Sequence, residues 1–300
     1  MKRSWTGTGA VLLAGVLWGT TGTAASFAPA VPPIAIGAFA MGVGGILQGL
    51  IAVPALWASR RRLRPVRGLV ALGAVSVAVY PLAFYASMRL AGVAVGTVIT
   101  IASAPIFSAV LERLLDKAPL SGRWYGSAAL AIIGSAALCF SRLQANDSGA
   151  AATLSGVGLG LVAGATYALY TWAVQRLMRR GVERPAAMGA VFGLGGLALI
   201  PVLVATGEPI LDSPATVSVA IYMALVPMFL GYVLFGIGLA RVRASSATIL
   251  TLCEPAVAAI LAVAVVGERL SPLGWSGLAL IGAGLVVLTV RLPGVRTVRA

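Results

Sequence analysis

Long apolar runs follow one another along almost the whole chain, and short polar or basic stretches separate them. A helix needs about 20 mostly apolar residues to cross the hydrocarbon core of a membrane. Ten runs are long enough, so the pattern predicts ten transmembrane helices with mostly short connections. The predicted spans 1 to 10 are 7–27, 33–57, 68–88, 92–114, 123–141, 155–175, 186–206, 215–239, 245–266 and 273–290.

The composition supports a lipid environment for these runs. Hydrophobic residues make up 59% of the 300-residue chain and charged residues make up 10%, against roughly 25% charged residues in soluble domains. The mean hydropathy is +0.99. Such a chain lacks the charge that a water-exposed surface needs. We therefore expect an all-α, polytopic membrane protein whose solvent is the lipid bilayer.

The net charge of +14 is gathered in short basic clusters between the spans. If the N-terminus is cytoplasmic, every lysine and arginine falls on the cytoplasmic side except Arg89, Arg142 and Arg269. This asymmetry is the positive-inside pattern of membrane proteins, and one helix more or fewer would destroy it. We expect both termini in the cytoplasm, and no nucleic-acid partner despite the basic charge.

The two halves of the chain resemble each other at an offset of about 150 residues. The segment 85–105 aligns without a gap on 235–255, which superposes Pro105 on Pro255, and Trp124 aligns on Trp275 after one inserted residue. Each half holds five spans, an odd number, so the second half must insert upside down. We expect two inverted five-helix repeats, 1–145 and 146–300, within one integral membrane domain.

Short motifs in a specific order and spacing carry a resemblance to a known family. They are Trp18-Gly19, Ala104-Pro105-Ile106-Phe107, Glu254-Pro255, Gly267-Glu268-Arg269-Leu270-Ser271, Trp275 and Gly277. Over about 5–290 the chain resembles the EamA type of the drug/metabolite transporter superfamily, and it is most similar to YddG-like exporters of aromatic amino acids. The resemblance implies ten helices, a bacterial-type inner membrane and export of small metabolites. The first half departs from the pattern, with Lys117-Ala118 where the second half has Gly267-Glu268.

Glu254 is the acidic residue placed deepest in a predicted span. A charge at this depth costs a few kcal/mol and usually faces a cavity or a partner. One interpretation is that Glu254 lines the substrate path, where it binds an ammonium group or exchanges a proton. The other is structural: a protonated carboxyl could bond a carbonyl that Pro255 leaves free. The sequence leaves both open.

Aromatic and weakly polar residues inside the spans predict a substrate cavity formed by spans 1, 3, 4, 6, 8 and 9. Membrane proteins usually keep tyrosine and tryptophan at the interfaces, and a buried phenol needs a partner for its hydroxyl. The predicted substrate-binding residues are Trp18, Tyr80, Tyr85, Thr100, Ser103, Tyr167, Tyr170, Tyr232, Thr251 and Glu254. The alternative is ordinary packing between helices.

Four of the prolines inside spans occupy the repeat-related pairs of spans 3 and 8 and of spans 4 and 9. They are Pro81, Pro105, Pro227 and Pro255. An interior proline kinks a helix and frees a backbone carbonyl. We expect kinks that shape the cavity or act as hinges; a static bend is the alternative.

The sequence argues against catalysis. It contains no histidine, and its two cysteines both lie in apolar runs without metal-ligand spacing, so we expect no catalytic residues, no metal and no cofactor. We expect a transporter that exports small apolar metabolites, amino acids above all, by alternating access of its halves. Drugs, purines or other small metabolites are the alternative cargo, and a non-transporting membrane subunit is a weaker one. Proton coupling and oligomeric state stay open.

Overall fold

The computed structural model describes residues 2–141, 150–267 and 269–290, and the regular secondary structure within them is helical throughout. The all-α fold class is confirmed. The predicted boundary between the halves, at 145–146, lies outside the described residues. The α-helices are α1 Lys2–Gly19, α2 Thr21–Ala25, α3 Pro33–Ile51, α4 Val53–Leu63, α5 Arg67–Ala91, α6 Val93–Leu115, α7 Gly122–Phe140, α8 Ala150–Arg179, α9 Arg184–Thr206, α10 Pro214–Met223, α11 Gly231–Leu239, α12 Ala244–Leu250, α13 Cys253–Leu261 and α14 Pro272–Thr289.

Nine helical segments of the described chain are long and apolar enough to cross a membrane, and they correspond to the predicted spans 1 to 4 and 6 to 10. The predicted span 5 is the 19-residue helix α7. Its first turn contains Arg123, Trp124 and Tyr125, which leaves an apolar stretch of about 22 Å at 1.5 Å per residue. Since the hydrocarbon core is about 30 Å thick, the count of ten spans stays a prediction.

The interior prolines lie in two kinds of backbone. Pro81 and Pro105 lie within the continuous helices α5 and α6. Pro227 lies in a π-helical segment, Ala224–Leu230, that joins α10 to α11. Pro255 lies in the first turn of α13, just after the chain turns at Thr251 and Leu252. Pro227 and Pro255 therefore coincide with interrupted helices, whereas Pro81 and Pro105 do not.

The largest helix contacts join the two predicted halves. α5 packs on α8, α3 on α9, and α7 on α14. Between α7 and α14 the backbones touch: a Cβ atom on Gly134 would lie 2.7 Å from the carbonyl oxygen of Gly277, and a Cβ on Gly277 would lie 2.7 Å from that of Gly134. Small residues permit this approach because lipid-embedded helices associate through close packing.

One end of the helix bundle is rich in arginine. There Arg62 donates a hydrogen bond to the Gly181 carbonyl, 2.8 Å away, and Arg243 donates one to the Pro119 carbonyl, 2.7 Å away. Arg176 pairs with Asp116 at the same end. These contacts gather the ends of α4, α6 and α8 and the turn before α12, and we call this region the basic end.

Candidate substrate site

A cavity lies between helices on the side of the bundle away from the basic end. Its walls come from the C-terminal parts of α1 and α5, the N-terminal part of α3, the middle of α8, the interrupted span 8 and the start of α13. Eight of the predicted site and kink residues line it: Trp18, Tyr80, Pro81, Tyr85, Tyr167, Tyr170, Tyr232 and Glu254. Residues that lie up to 236 positions apart in the chain thus meet around one space.

The rings around the cavity pack in a connected cluster. The ring centres of Trp18 and Tyr232 are 4.8 Å apart, those of Tyr167 and Tyr170 are 5.2 Å apart, and Tyr80 lies 5.6 Å from Tyr167. Tilted and edge-on pairs at these distances are favourable for aromatic rings. Packing and lining are therefore not alternatives here, because the same rings do both.

Some of the polar groups in this cluster are bonded. The Tyr170 and Tyr232 hydroxyls are 3.0 Å apart, and the Tyr167 hydroxyl donates to Thr251 Oγ1 at 2.9 Å. The indole nitrogen of Trp18 donates to the Pro227 carbonyl at 2.9 Å. By contrast, no hydrogen bond to another described residue is made by the hydroxyl of Tyr80 or of Tyr85. These two phenols are free to bind a ligand.

The Glu254 side chain lines the cavity, and within the described part of the chain no ion pair or hydrogen bond reaches its carboxyl. The structural interpretation required this carboxyl to satisfy the carbonyl that Pro255 leaves free, which is that of Thr251. The Thr251 carbonyl instead accepts the backbone N–H of Glu254 at 2.9 Å. The geometry therefore favours Glu254 as a ligand-facing group.

The local backbone suits a negative charge at Glu254. This residue lies in the first turn of α13, and the residue that precedes the helix, Leu252, provides no side-chain cap. The positive end of the helix dipole favours an anion nearby. The turn at Thr251 and Leu252 creates this helix start in the middle of span 9.

The structure lines the cavity with span 2 and not with span 4, so that part of the prediction is wrong. Gly37 allows the Tyr85 ring to lie against α3, since a Cβ there would come within 2.1 Å of the ring. Met41 of α3 and Met223 and Met228 of span 8 also line the cavity. Flexible, polarizable methionines suit a site for apolar groups. Met41 and Gly37 occupy one face of α3 (i, i+4), a pattern visible in the sequence.

The predicted polar residues of span 4 lie elsewhere. Ser103 Oγ donates to the Thr100 carbonyl at 3.1 Å, and both residues face Gly164 of α8. Thr100 is fully buried. Thr251 of span 9 is the other predicted residue with a weakly polar side chain, and its hydroxyl accepts the hydrogen bond from Tyr167. Pro105 is buried within α6 and does not line the cavity, whereas Pro255 directly follows Glu254, which does. α6 therefore packs behind α8 rather than beside the cavity.

The cavity is small as it stands, with a volume of about 60 Å³. A site for a drug-sized ligand usually measures about 300–1,000 Å³, and each enclosed water needs about 10–15 Å³. The space therefore holds a few waters but not an aromatic amino acid. Binding such a ligand requires the tyrosine rings or the helices that carry them to move apart.

A second polar cluster closes the basic end, and it differs from the cavity in having partners for its charge. The Asp116 side chain is 5% exposed and binds Arg176, as well as Arg179 Nη1 and the indole nitrogen of Trp172, each at 3.1 Å. Charge-assisted bonds of this kind are the strong ones. They fasten the end of α6 to the end of α8.

Glu112, one turn before Asp116, fastens α6 to the start of α12. Its carboxyl is fully buried and accepts both the backbone N–H of Ser245, at 3.2 Å, and the Ser245 hydroxyl, at 2.7 Å. This role was not predicted from the sequence. Glu112 and Asp116 share one face of a helix (i, i+4), and Arg176 and Arg179 share one face of another (i, i+3). These two faces carry opposite charges on the side of the membrane predicted to be cytoplasmic. That was the feature of the sequence from which a contact between the two helices could have been predicted.

Gln175 completes the closure between α8 and the turn before α12. Its Nε2 donates to the carbonyls of Leu239, at 3.0 Å, and Val242, at 2.6 Å. Its Oε1 accepts the Ala244 N–H at 3.1 Å and Arg179 Nη2 at 3.0 Å. A buried amide with every bond made rigidifies its surroundings.

In the described residues, no group of three or more His, Cys, Asp or Glu side chains could hold a metal ion.

Comparison with known proteins gives a family match along nearly the whole chain. The family model described as the EamA-like transporter family matches residues 5–140 and 154–290. The same model thus fits two segments, one in each predicted half.

Two curated proteins resemble the chain, and a crystal structure is among the solved structures that do. An uncharacterized transporter, YwfM of Bacillus subtilis (strain 168), is 36% identical over 93% of this chain and 92% of its own length. A probable terminal-alkyne amino-acid exporter of Streptantibioticus cattleyicolor is 26% identical over 95% of this chain and 96% of its own. A solved crystal structure matches with a TM-score of 0.75 and 19% identity, over 94% of this chain and 96% of its own; it supports the fold.

Proposed function

This chain belongs to the EamA-like transporter family, and from that premise we propose that it exports small apolar metabolites, amino acids with aromatic or other neutral side chains first among them. The observation that carries the proposal is the cavity, where one unpartnered carboxyl faces five tyrosines and a tryptophan. A multi-pass membrane transporter with such a site can bind an amine at one point and an apolar group beside it.

Each part of an amino acid has a partner of suitable chemistry around the cavity. The ammonium group would pair with Glu254 and lie against the face of a ring, where cation–π attraction adds to the binding. The apolar side chain would contact Trp18 and the methionines. Among the described residues that line the cavity there is no lysine or arginine. The substrate carboxylate would therefore accept hydrogen bonds from the free hydroxyls of Tyr80 and Tyr85.

We propose alternating access as the mechanism, with the basic end in the cytoplasm in agreement with the positive-inside rule. The cavity lies away from the basic end, and the Asp116 and Glu112 clusters close that end. Opening toward the cytoplasm would break these bonds, while the rings around the cavity separate to admit substrate. The interrupted helices at Pro227 and Pro255 are the proposed hinges.

Helix packing supports the proposal of two inverted repeats. If span n of one half corresponds to span n+5 of the other, the contact of α5 with α8 corresponds to that of α11 with α1. The contact of α6 with α8 likewise corresponds to that of α13 with α1, and both members of each pair exist. Such symmetry lets one half adopt either of two arrangements against the other.

The test is uptake by liposomes that contain the purified protein. The panel is radiolabelled Phe, Met, Thr, Lys and Glu, with and without a pH gradient. We expect saturable uptake of Phe and Met, each competed by the other. A response to the gradient that Glu254→Gln abolishes would assign proton coupling to this carboxyl, and an unchanged response would exclude that role.

The alternative cargo, an apolar cationic drug or amine, is favoured by one observation, the absence of a basic residue from the described cavity lining. Phenethylamine, which is phenylalanine without its carboxylate, separates the two proposals in the same assay. Uptake of radiolabelled phenethylamine with no uptake of Phe would favour the amine exporter. Uptake of no panel member by folded protein would contradict the amino-acid proposal.

A further inference from the structure

A groove on the outside of the bundle, near the basic end, is separate from the substrate cavity. It lies between α4, α5 and α9 and has a volume of about 600 Å³. Its walls are apolar: Leu56 and Leu63 of α4, Val70 and Ala71 of α5, and Ala190 and Leu194 of α9. These residues belong to helices that the described chain places among the membrane-spanning segments, so the groove opens toward lipid.

Three arginines form the polar end of this groove, at the junction of α4 and α5: Arg60, Arg64 and Arg67. Arg60 lies over the ring of Trp57, 4.8 Å from its centre, and Trp57 is 72% exposed. An exposed tryptophan beside arginines marks the membrane–water interface. The groove therefore runs from the headgroup level of the bilayer toward its hydrocarbon.

No acidic residue that the structure describes pairs with this arginine cluster. The groove lining contains no acidic residue among those described. Arg64 and Arg67 make no hydrogen bond or ion pair with another described residue, in contrast to Arg176 and Arg179, which share Asp116. In addition, α5 begins at Arg67, and Val66 before it supplies no side-chain cap, so the positive end of the helix dipole points the same way.

We propose that this groove binds an anionic phospholipid, with the phosphate at Arg60, Arg64 and Arg67 and an acyl chain along Val70, Ala71 and Leu194. Charge complementarity selects the anionic headgroup, because basic pockets between helices at the interface attract such lipids. The apolar walls select a lipid over a free phosphate, since a phosphate alone would leave them uncovered. The proposal rests on the membrane location of the chain and is independent of what the cavity transports.

The test is lipid retention by the full-length protein in native mass spectrometry. The probes are dioleoyl phosphatidylglycerol and dioleoyl phosphatidylcholine, which share acyl chains and differ in headgroup charge. We expect the wild-type protein to keep phosphatidylglycerol preferentially. The variant Arg64→Gln/Arg67→Gln should lose this preference by about fivefold for each arginine.

A matched control removes the same charge from the same end of the bundle. Arg61 and Arg180 are exposed and line no part of the groove, so Arg61→Gln/Arg180→Gln should keep the preference. Equal losses in the two double variants would mean that net charge alone attracts the lipid, which would overturn the proposal.

A further variant tests the acyl-chain part of the groove without changing charge. Ala71 is exposed on the groove wall, and Ala71→Phe should lower phosphatidylglycerol retention by filling that wall. Inorganic phosphate at millimolar concentration should not displace the lipid. Displacement by phosphate together with full retention in Ala71→Phe would assign the site to a free anion and contradict the proposal.

Discussion

Glu254 lies within an apolar span and Asp116 lies just after the end of one, and the surroundings of their two carboxyl groups are opposite. Asp116 at the basic end holds Arg176, Arg179 and Trp172. Glu254 faces the tyrosine cavity, and no described residue pairs with its carboxyl. The two also differ in the backbone that carries them, since Asp116 directly follows the continuous helix α6, whereas Glu254 lies in the first turn of α13, after a break in span 9.

This difference separates a group that joins helices from a group that is available to a ligand. A polar group in a low-dielectric setting gains from satisfied bonds and loses when they are missing. Asp116 contributes its bonds to the closed basic end. The missing partners of Glu254 are tolerable where a few waters fill a cavity and are useful where a substrate ammonium replaces those waters. Substitutions at Glu254, at Asp116 and at a pair of tyrosines break or sharpen this comparison.

The largest effect is expected for Glu254→Gln. Loss of the charge partner for an ammonium should lower uptake of Phe or Met at least tenfold, because a hydrogen bond to a charged group contributes about 1.5–3 kcal/mol. The melting temperature should stay close to that of the wild-type protein, since no described contact is lost.

The matched control is Glu208→Gln, the same change at an exposed position between α9 and α10. It should leave both uptake and melting temperature unchanged. If Glu254→Gln takes up substrate at the wild-type rate, or if its melting temperature falls strongly, then Glu254 has a structural role like that of Asp116.

Asp116→Asn should show the reverse pattern. It leaves two arginines without a carboxylate, and we expect a loss of about 1–3 kcal/mol in stability, seen as a lower melting temperature in detergent. Uptake should fall less than for Glu254→Gln, because the weakened basic end opens more easily. A variant as stable as the wild type would mean that solvent replaces these bonds without loss.

The smallest effects are expected for a pair of tyrosine variants. Tyr170→Phe removes the hydroxyl that meets Tyr232 at 3.0 Å and should destabilise the protein by about 1 kcal/mol. Tyr85→Phe removes a hydroxyl without a described partner and should change uptake of Phe by a few fold with little change in melting temperature. Equal effects of the two variants on both measurements would remove the distinction between bonded and free phenols.

The sequence predicted the residues of the cavity better than its helices. Trp18, the five tyrosines and Glu254 meet around one space because residues of this polarity have no favourable place against lipid. The assignment of span 4 to the cavity was wrong because Ser103 packs against Gly164 of α8, which lies 61 residues away in the chain. Hydropathy carries no information on which neighbour a helical face meets.

Lys117 illustrates what an aligned repeat can and cannot show. The offset of 150 residues aligns Lys117 with Gly267, and the difference in residue type argued against a common role for the two positions. Both residues nevertheless have left-handed backbones, with φ of 51° for Lys117 and 81° for Gly267. A lysine in this conformation costs about 1 kcal/mol of stability. Tertiary contacts therefore hold the end of α6 in this conformation, whereas the other half has a glycine at the equivalent position.

The sequence by itself determined that this chain forms helices in a membrane, because long apolar runs need lipid and lipid leaves backbone groups no partner outside the helix. It also determined that one acidic residue lies deep among aromatic ones. The tertiary structure decided which acidic residues find partners. Glu112 reaches Ser245 across 133 residues of sequence, and Arg176 reaches Asp116 across 60. Hydropathy is a sum over neighbours in the chain, whereas a hydrogen bond depends on which helices pack together.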